Sequence, residues 1–160
     1  MTTITPDEKL QLEFNRWAEE GRGEEMERHH LPITEPVVRM MALKPGDRVL
    51  DLGCGAGWAT RLLARIVAAE KSNAHNDGLV LGVDISDEMI RRATENSRDL
   101  SNVRYLVGSA EQIPSEANFF HKVLSVESFY YYPDQDRALD ELRRVMAPGG
   151  RLFILSLIHI

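Results

Sequence analysis

From Arg48 onward, short runs of apolar residues alternate with amphipathic stretches, and this alternation limits the fold more than any other feature. The runs are Arg48 to Leu52, Leu79 to Asp84, Val103 to Val107, Lys122 to Val126 and Arg151 to about Leu155. Strands of near-continuous Val, Leu and Ile are buried on both faces, which is the situation in a parallel sheet. Helices are predicted from Trp58 to Glu70, with Leu62, Leu63, Ile66 and Val67 on one face, from a Ser86 cap to about Ser97, and from Asp134 to Met146. Lys71 to Gly78 is read as a polar surface loop, and Pro148-Gly149-Gly150 as a turn into the fifth run. The pattern predicts an α/β fold: an open, mostly parallel twisted sheet with helices on both faces.

The first 44 residues follow another pattern and read as a helical preface to a core of residues 45–160. Thr5-Pro6-Asp7-Glu8 is a helix start, with Thr5 as N-cap, proline at the first position and Glu8 closing a capping box. Leu10, Phe14 and Trp17 carry the helix to about Glu20, where Gly21-Arg22-Gly23 breaks it. A charged helical segment, Glu24 to His30, comes next, and Thr34-Glu35-Pro36 is expected to open a separate short helix bearing Val37, Val38, Met40 and Met41. The acidic residues Glu19, Glu20, Glu24 and Glu25 read as a solvated face.

A chain of 160 residues can bury a proper core. Its 19 Lys and Arg against 25 Asp and Glu give a formal net charge of -6, so nucleic acid is not an expected partner. The single cysteine, Cys54, is consistent with a reducing cytoplasm. The first residues lack the layout of a signal peptide and no run is long enough to span a membrane, so a cytoplasmic protein is expected. No metal-binding cluster of His and Cys is evident, and no metal is expected.

Val49-Leu50-Asp51-Leu52-Gly53-Cys54-Gly55-Ala56-Gly57 joins the first strand to its helix. Three glycines on alternate positions mark a backbone that turns tightly or touches a ligand. In an open sheet, ligands sit beyond the carboxyl ends of the strands, near where the strand order reverses. A dinucleotide fingerprint would place glycines at 53, 55 and 58, but position 58 is Trp58. The second strand ends in Asp84, where a carboxylate can accept bonds from two ribose hydroxyls. Val107-Gly108-Ser109-Ala110-Glu111-Gln112-Ile113-Pro114 follows the third strand.

These segments, with Phe120 to Ser128 and Arg144 to Leu152, resemble in order those of the class I S-adenosylmethionine-dependent methyltransferases, nearest the type 11 group. The resemblance covers about residues 44 to 155 and implies a Rossmann-like sheet with S-adenosylmethionine as cofactor. It implies a cofactor site of Asp51, Gly53, Cys54, Gly55, Gly57, Asp84, Ile85, Ser109, Ala110, Glu111 and Val126. In that scheme Asp51 attracts the ammonium of the cofactor's methionine end while loop amides meet its carboxylate. Ser109 stands where the family usually has an acid, which weakens the acceptor for the adenine amino group, and the Ala110 amide is left to meet a ring nitrogen. Cys54 reads as a small buried filler, and Trp58 as packing beside the cofactor or plugging the core.

Methyl transfer from a sulfonium is an in-line displacement, so it needs alignment and dryness more than a dominant catalytic pair. The catalytic candidates are Glu127, Tyr130 and His29. Glu127 is suited to orient an amine or remove a proton, Tyr130 to Tyr132 to wall an aromatic acceptor or to pack on the next helix, and His29 to act as a base or to sit solvated near a helix end. The expected partner is a small-molecule methyl acceptor. Members of the family continue past the fifth strand with a helix and two more strands. The chain ends at Ile160, so it is expected to lack the C-terminal strands and to leave a fifth-strand edge open to self-association. Two alternatives stand beside an active methyltransferase: a non-catalytic or truncated S-adenosylmethionine-binding domain, and a nicotinamide-dependent oxidoreductase, which Trp58 disfavours.

Overall fold

The computed structural model describes residues 4–68 and 78–157. Five parallel strands form one sheet: β1 (Arg48–Leu52), β2 (Leu79–Asp84), β3 (Val103–Val107), β4 (Phe120–Val126) and β5 (Met146–Leu155). Their order across the sheet is β3-β2-β1-β4-β5, so the chain builds outward from β1 on one side and then returns to its other side through β4. The reversal leaves a crevice at the carboxyl ends of β1 and β4.

The helices are α1 (Pro6–Glu19), α2 (Arg22–Met40), α3 (Trp58–Val67), α4 (Asp87–Glu95) and α5 (Gln135–Val145), with a single 3₁₀ turn at Phe129–Tyr131. Strand periodicity divides β1 between two layers. Val49 packs with Leu63, Ala64 and Val67 of α3, with Val38 of α2 and with Met41, the residue that ends α2, whereas Leu50 and Leu52 pack with Ala138, Leu142 and Val145 of α5. Asp51 falls on the α3 face with Val49, and so becomes a carboxylate beneath a helix.

Thr5 and Glu8 form the expected capping box on α1, and Ser86 and Asp134 cap α4 and α5 with their side chains. The break at Gly21 is also present, with Gly21 left-handed at φ 73°. The separate helix expected at Thr34 is not: α2 runs unbroken from Arg22 to Met40 through Pro32 and Pro36. Each interior proline removes one main-chain donor and costs about 3 kcal/mol in a free helix. Burial of Thr34, Val38 and Met41 on one face, at helical spacing, offsets that cost. Thr34 is fully buried and its hydroxyl has no hydrogen-bond partner.

Other boundaries also move. β4 starts at Phe120, two residues earlier than expected, because the fully buried Phe120 is already paired with Met146 of β5. Pro148-Gly149-Gly150 lies inside β5 as an irregularity instead of preceding it: Phe120 pairs with Met146, yet Lys122 pairs with Arg151. Helix α3 ends at Val67 with Ala68 as its cap, and the loop expected at Lys71 to Gly78 lies, except for Gly78, outside the described residues. So do Ile158 to Ile160 at the end of the β5 edge. Glu19, Glu20 and Glu25 are exposed as expected, and the side chain of Glu24 lies outside the description. No helix among the described residues is long and apolar enough to cross a membrane.

Candidate active site

A cavity of about 280 Å³ occupies the crevice, bounded by the loops after β1, β2, β3 and β4 and covered by α1 and α2. The glycine loop forms one wall. Gly53, Gly55 and Gly57 all have left-handed φ, at 76°, 50° and 80°, where a side chain is strained. Their surroundings differ. A Cβ on Gly53 would lie 2.4 Å from Ser128, and one on Gly57 would lie 2.6 Å from the Tyr105 hydroxyl and 2.9 Å from Ala93. A Cβ on Gly55 would meet nothing within 4 Å. Gly53 and Gly57 are therefore small because protein packs on them, and Gly55 because it faces open cavity.

The loop is tied down from several directions. The amides of Gly53 and Cys54 donate to the Val83 carbonyl at 2.8 and 3.0 Å, and the amide of Gly57 donates to the Cys54 carbonyl at 2.9 Å. The Gly55 amide donates to Asp84 Oδ2 at 2.8 Å. These bonds engage the amides of Gly53, Cys54, Gly55 and Gly57. Helix α3 starts at Trp58 with no side-chain bond from its N-cap, Gly57, and the Thr60 amide in its first turn bonds to Asp51. The positive end of the helix thus already faces a carboxylate.

Two carboxylates face this wall. Asp84 is held by the Gly55 amide and, through Oδ1, by the Ser86 amide at 2.9 Å. Burial raises its pKa, and the hydrogen bonds from Ser86, Gly55 and Ile85 only partly offset the rise. Asp51 is buried beneath α3, where Thr60 donates its hydroxyl to Oδ2 at 2.6 Å. Burial pushes its pKa up to about 7, with Asp84 adding a smaller upward push against the Thr60 bond. A buried and a half-buried carboxylate beside open space constitute a site that a cationic group would relieve. S-adenosylmethionine, with a sulfonium, an ammonium and ribose hydroxyls, fits that donor and charge set.

Of the residues expected to bind cofactor, Asp51, Gly53, Cys54, Gly55, Asp84, Ile85, Ala110, Glu111 and Val126 line the cavity. Gly57 and Ser109 do not. Gly57 is turned onto Tyr105, and the Ser109 hydroxyl donates to Glu111 Oε2 at 3.0 Å on a neighbouring cleft that Asp7 also lines. Trp58 does both things expected of it, lining the cavity and belonging to the α3-side core. His29 points elsewhere: it is exposed and outside the lining, while its neighbour His30 lines the cavity. Adjacent positions on a helix face about 100° apart, and the dipeptide gave no signal as to which histidine faces inward.

Glu127 and Tyr130 both line the cavity. Glu127 has φ 52°, unusual for a residue with a side chain, and Oε2 accepts from the Tyr130 hydroxyl at 3.3 Å, while Oε1 accepts from the Leu157 amide. Burial is the largest of the effects that raise the Tyr130 pKa. Tyr132 braces the floor: its hydroxyl and those of Ser125 and Ser128 form a network that reaches the Leu52 carbonyl. From α1, Leu10, Phe14 and Trp17 line the cavity. Phe14 and Trp17 meet Tyr131 edge-on, at ring centroid distances of 5.2 and 6.1 Å.

A profile of the family described as a methyltransferase domain, type 11, matches residues 50–154. The chain belongs to this family of S-adenosylmethionine-dependent methyltransferases. Its sequence is 36% identical over 120 residues to an arsenite methyltransferase of Halobacterium salinarum, covering 74% of this chain and 29% of that protein. It is 35% identical over 116 residues to a ubiquinone/menaquinone biosynthesis C-methyltransferase of Vibrio cholerae, covering 71% of this chain and 42% of that one. Among solved structures, an S-adenosylmethionine-dependent methyltransferase from Aquifex aeolicus superposes with a TM-score of 0.66 at 30% identity, covering 75% of this chain and 61% of that chain. A chain from a complex with the Haloferax volcanii Trm112 methyltransferase activator gives 0.78 at 31% identity, covering 89% and 59%. This methyltransferase chain spans less than half the length of those two curated relatives.

Proposed function

We propose that this chain is the cofactor-binding part of an enzyme that transfers a methyl group from S-adenosylmethionine to a small-molecule acceptor. One observation carries the reading: Gly55 faces open space in a cavity that the buried Asp51 and the half-buried Asp84 both line. In this proposal Asp84, already oriented by the Gly55 and Ser86 amides, accepts bonds from the ribose hydroxyls. Asp51 attracts the ammonium. Ala110 and Glu111 border the adenine, while Ile85 and Val126 supply apolar contact. When bound, the cofactor supplies an electrophilic methyl group. The chain's own task is to hold the acceptor in line with it and keep water out, which α1 and the aromatic residues after β4 are placed to do. The quinone-pathway and arsenite enzymes among the relatives, which act on small molecules by name, support an acceptor of that size.

Calorimetric titration tests the reading. S-adenosylhomocysteine is expected to bind and NAD is not. Asp84→Ala is expected to weaken the first by about 1.5–3 kcal/mol, the range for lost hydrogen bonds to a charged group. Undiminished affinity in the variant would remove Asp84 from the ribose, and NAD binding in place of S-adenosylhomocysteine would overturn the proposal.

A further inference from the structure

One group of residues lining the cavity is Phe14, Trp17, His30, Glu127, Tyr130 and Tyr131. Over the whole cavity the lining includes four carboxylates, Asp51, Asp84, Glu111 and Glu127, and one imidazole, His30. Among the described residues, no lysine or arginine lines it. Arg22 comes nearest in kind, but its guanidinium is stacked on the Trp17 ring at 5.1 Å and does not join the lining.

We infer that this wall selects an aromatic acceptor bearing an amine, admitted as its ammonium, and rejects acceptors bearing a carboxylate or phosphate. The inference rests on the methyltransferase reading above and names its substrate class. Charge balance supports it. S-adenosylmethionine brings a sulfonium, an ammonium and a carboxylate, a net single positive charge, which the acidic side chains of the lining outnumber even when Asp51 holds the proton that its burial favours. An anionic acceptor would then enter an acidic, partly desolvated space with no lysine or arginine among the described lining residues to receive it, inside a chain that itself carries a formal net charge of -6. An ammonium finds Glu127 and the faces of aromatic rings, both of which attract cations. Glu127 is the specificity-determining residue in this scheme. It is held in a left-handed conformation at the end of β4, with the Tyr130 hydroxyl on one oxygen. Non-glycine residues in that region collect at functional sites.

Three probes on one scaffold test the inference: 2-phenylethylamine as cation, 2-phenylethanol as neutral congener and phenylacetate as anion. The chain's two tryptophans, Trp17 and Trp58, both line the cavity, so quenching of their fluorescence reports occupancy. Titrations are run with and without saturating S-adenosylhomocysteine, whose own binding is measured separately by calorimetry. The amine is expected to bind tightest, the alcohol next, and the acid roughly tenfold or more weaker than the amine. Glu127→Gln is expected to bring the amine down to the level of the alcohol while leaving the alcohol unchanged, which also shows that the variant is folded. Equal or tighter binding of phenylacetate, no binding of any probe at millimolar concentration, or a full amine preference in Glu127→Gln would overturn the inference. Failure of S-adenosylhomocysteine to bind would instead sink the methyltransferase reading, and the order of the three probes would still be read.

Discussion

At the scale of single residues, the glycine loop shows three identical side chains required for different reasons. Gly53 and Gly57 make room for Ser128 and Tyr105, which come from distant parts of the chain, and only Gly55 opens onto the cavity. The sequence displays the set, because three glycines behind a strand are conspicuous. It cannot assign the reasons, because those depend on which side chain of β3 or of the β4 loop arrives opposite each one. Substitution separates them. Gly55→Val is expected to lose S-adenosylhomocysteine binding while costing only about 1–2 kcal/mol of stability, the strain of a side chain at φ 50°. Gly57→Val adds overlap with Tyr105 and Ala93, and is expected to cost about 3 kcal/mol or more. Denaturant midpoints and calorimetry on both variants provide the check: intact binding in Gly55→Val would place the cofactor elsewhere.

At the scale of elements, the strands and caps were legible because local chemistry decides them. Continuous apolar runs located β1, β2 and β3 to the residue, and the Thr5 and Ser86 caps matched their helices. What local chemistry misjudged was decided by packing: α2 continues through two prolines because Thr34, Val38 and Met41 are buried, and β5 starts early because it pairs with Phe120. The placement of α1 belongs to the same class. It is clasped to α4 by Asn15, whose amide nitrogen donates to Asp87 Oδ1 at 2.8 Å while its oxygen accepts from the Ser86 hydroxyl at 2.6 Å. Ser86 also caps α4 by accepting from the Met89 amide, so one hydroxyl links the covering helix to the helix that follows Asp84. Asn15→Ala removes both bonds and is expected to raise hydrogen exchange across α1 about fivefold, with β1 unchanged. Equal exchange in variant and parent would show that the Phe14, Trp17 and Tyr131 rings hold α1 without the clasp.

At the scale of the whole molecule, the buried Asp51 ties folding to pH and, in the proposed site, ties ligand binding to pH as well. Burial pushes the Asp51 pKa in the folded protein up to about 7, from an ordinary value of 3.8. The folded protein therefore retains a proton over a range in which the unfolded chain has lost it. The slope of unfolding free energy with pH follows the protons bound by the unfolded state minus those bound by the folded state, and here that difference is negative. This group's contribution to stability is thus full below about pH 4, falls as pH rises, and is lost by about pH 7. The upward shift of Asp84 acts with the same sign. In the proposed site ligand binding follows the opposite trend: if Asp51 is the partner of the cofactor's ammonium, affinity for S-adenosylmethionine is expected to rise between about pH 6 and 7.5 as Asp51 ionises. Above that the cofactor's own ammonium begins to titrate, since α-amino groups have pKa values of about 8. Asp51→Asn keeps the size of the side chain and abolishes its titration. It is expected to flatten both profiles, making the protein less sensitive to pH between about 4 and 7 and S-adenosylmethionine affinity nearly constant from about pH 6 to 7.5. Calorimetric titrations across that range, paired with denaturant melts of parent and variant, measure both arms. A parent affinity that is already flat with pH would mean that Asp51 is not the partner of the ammonium, whatever its burial does to stability.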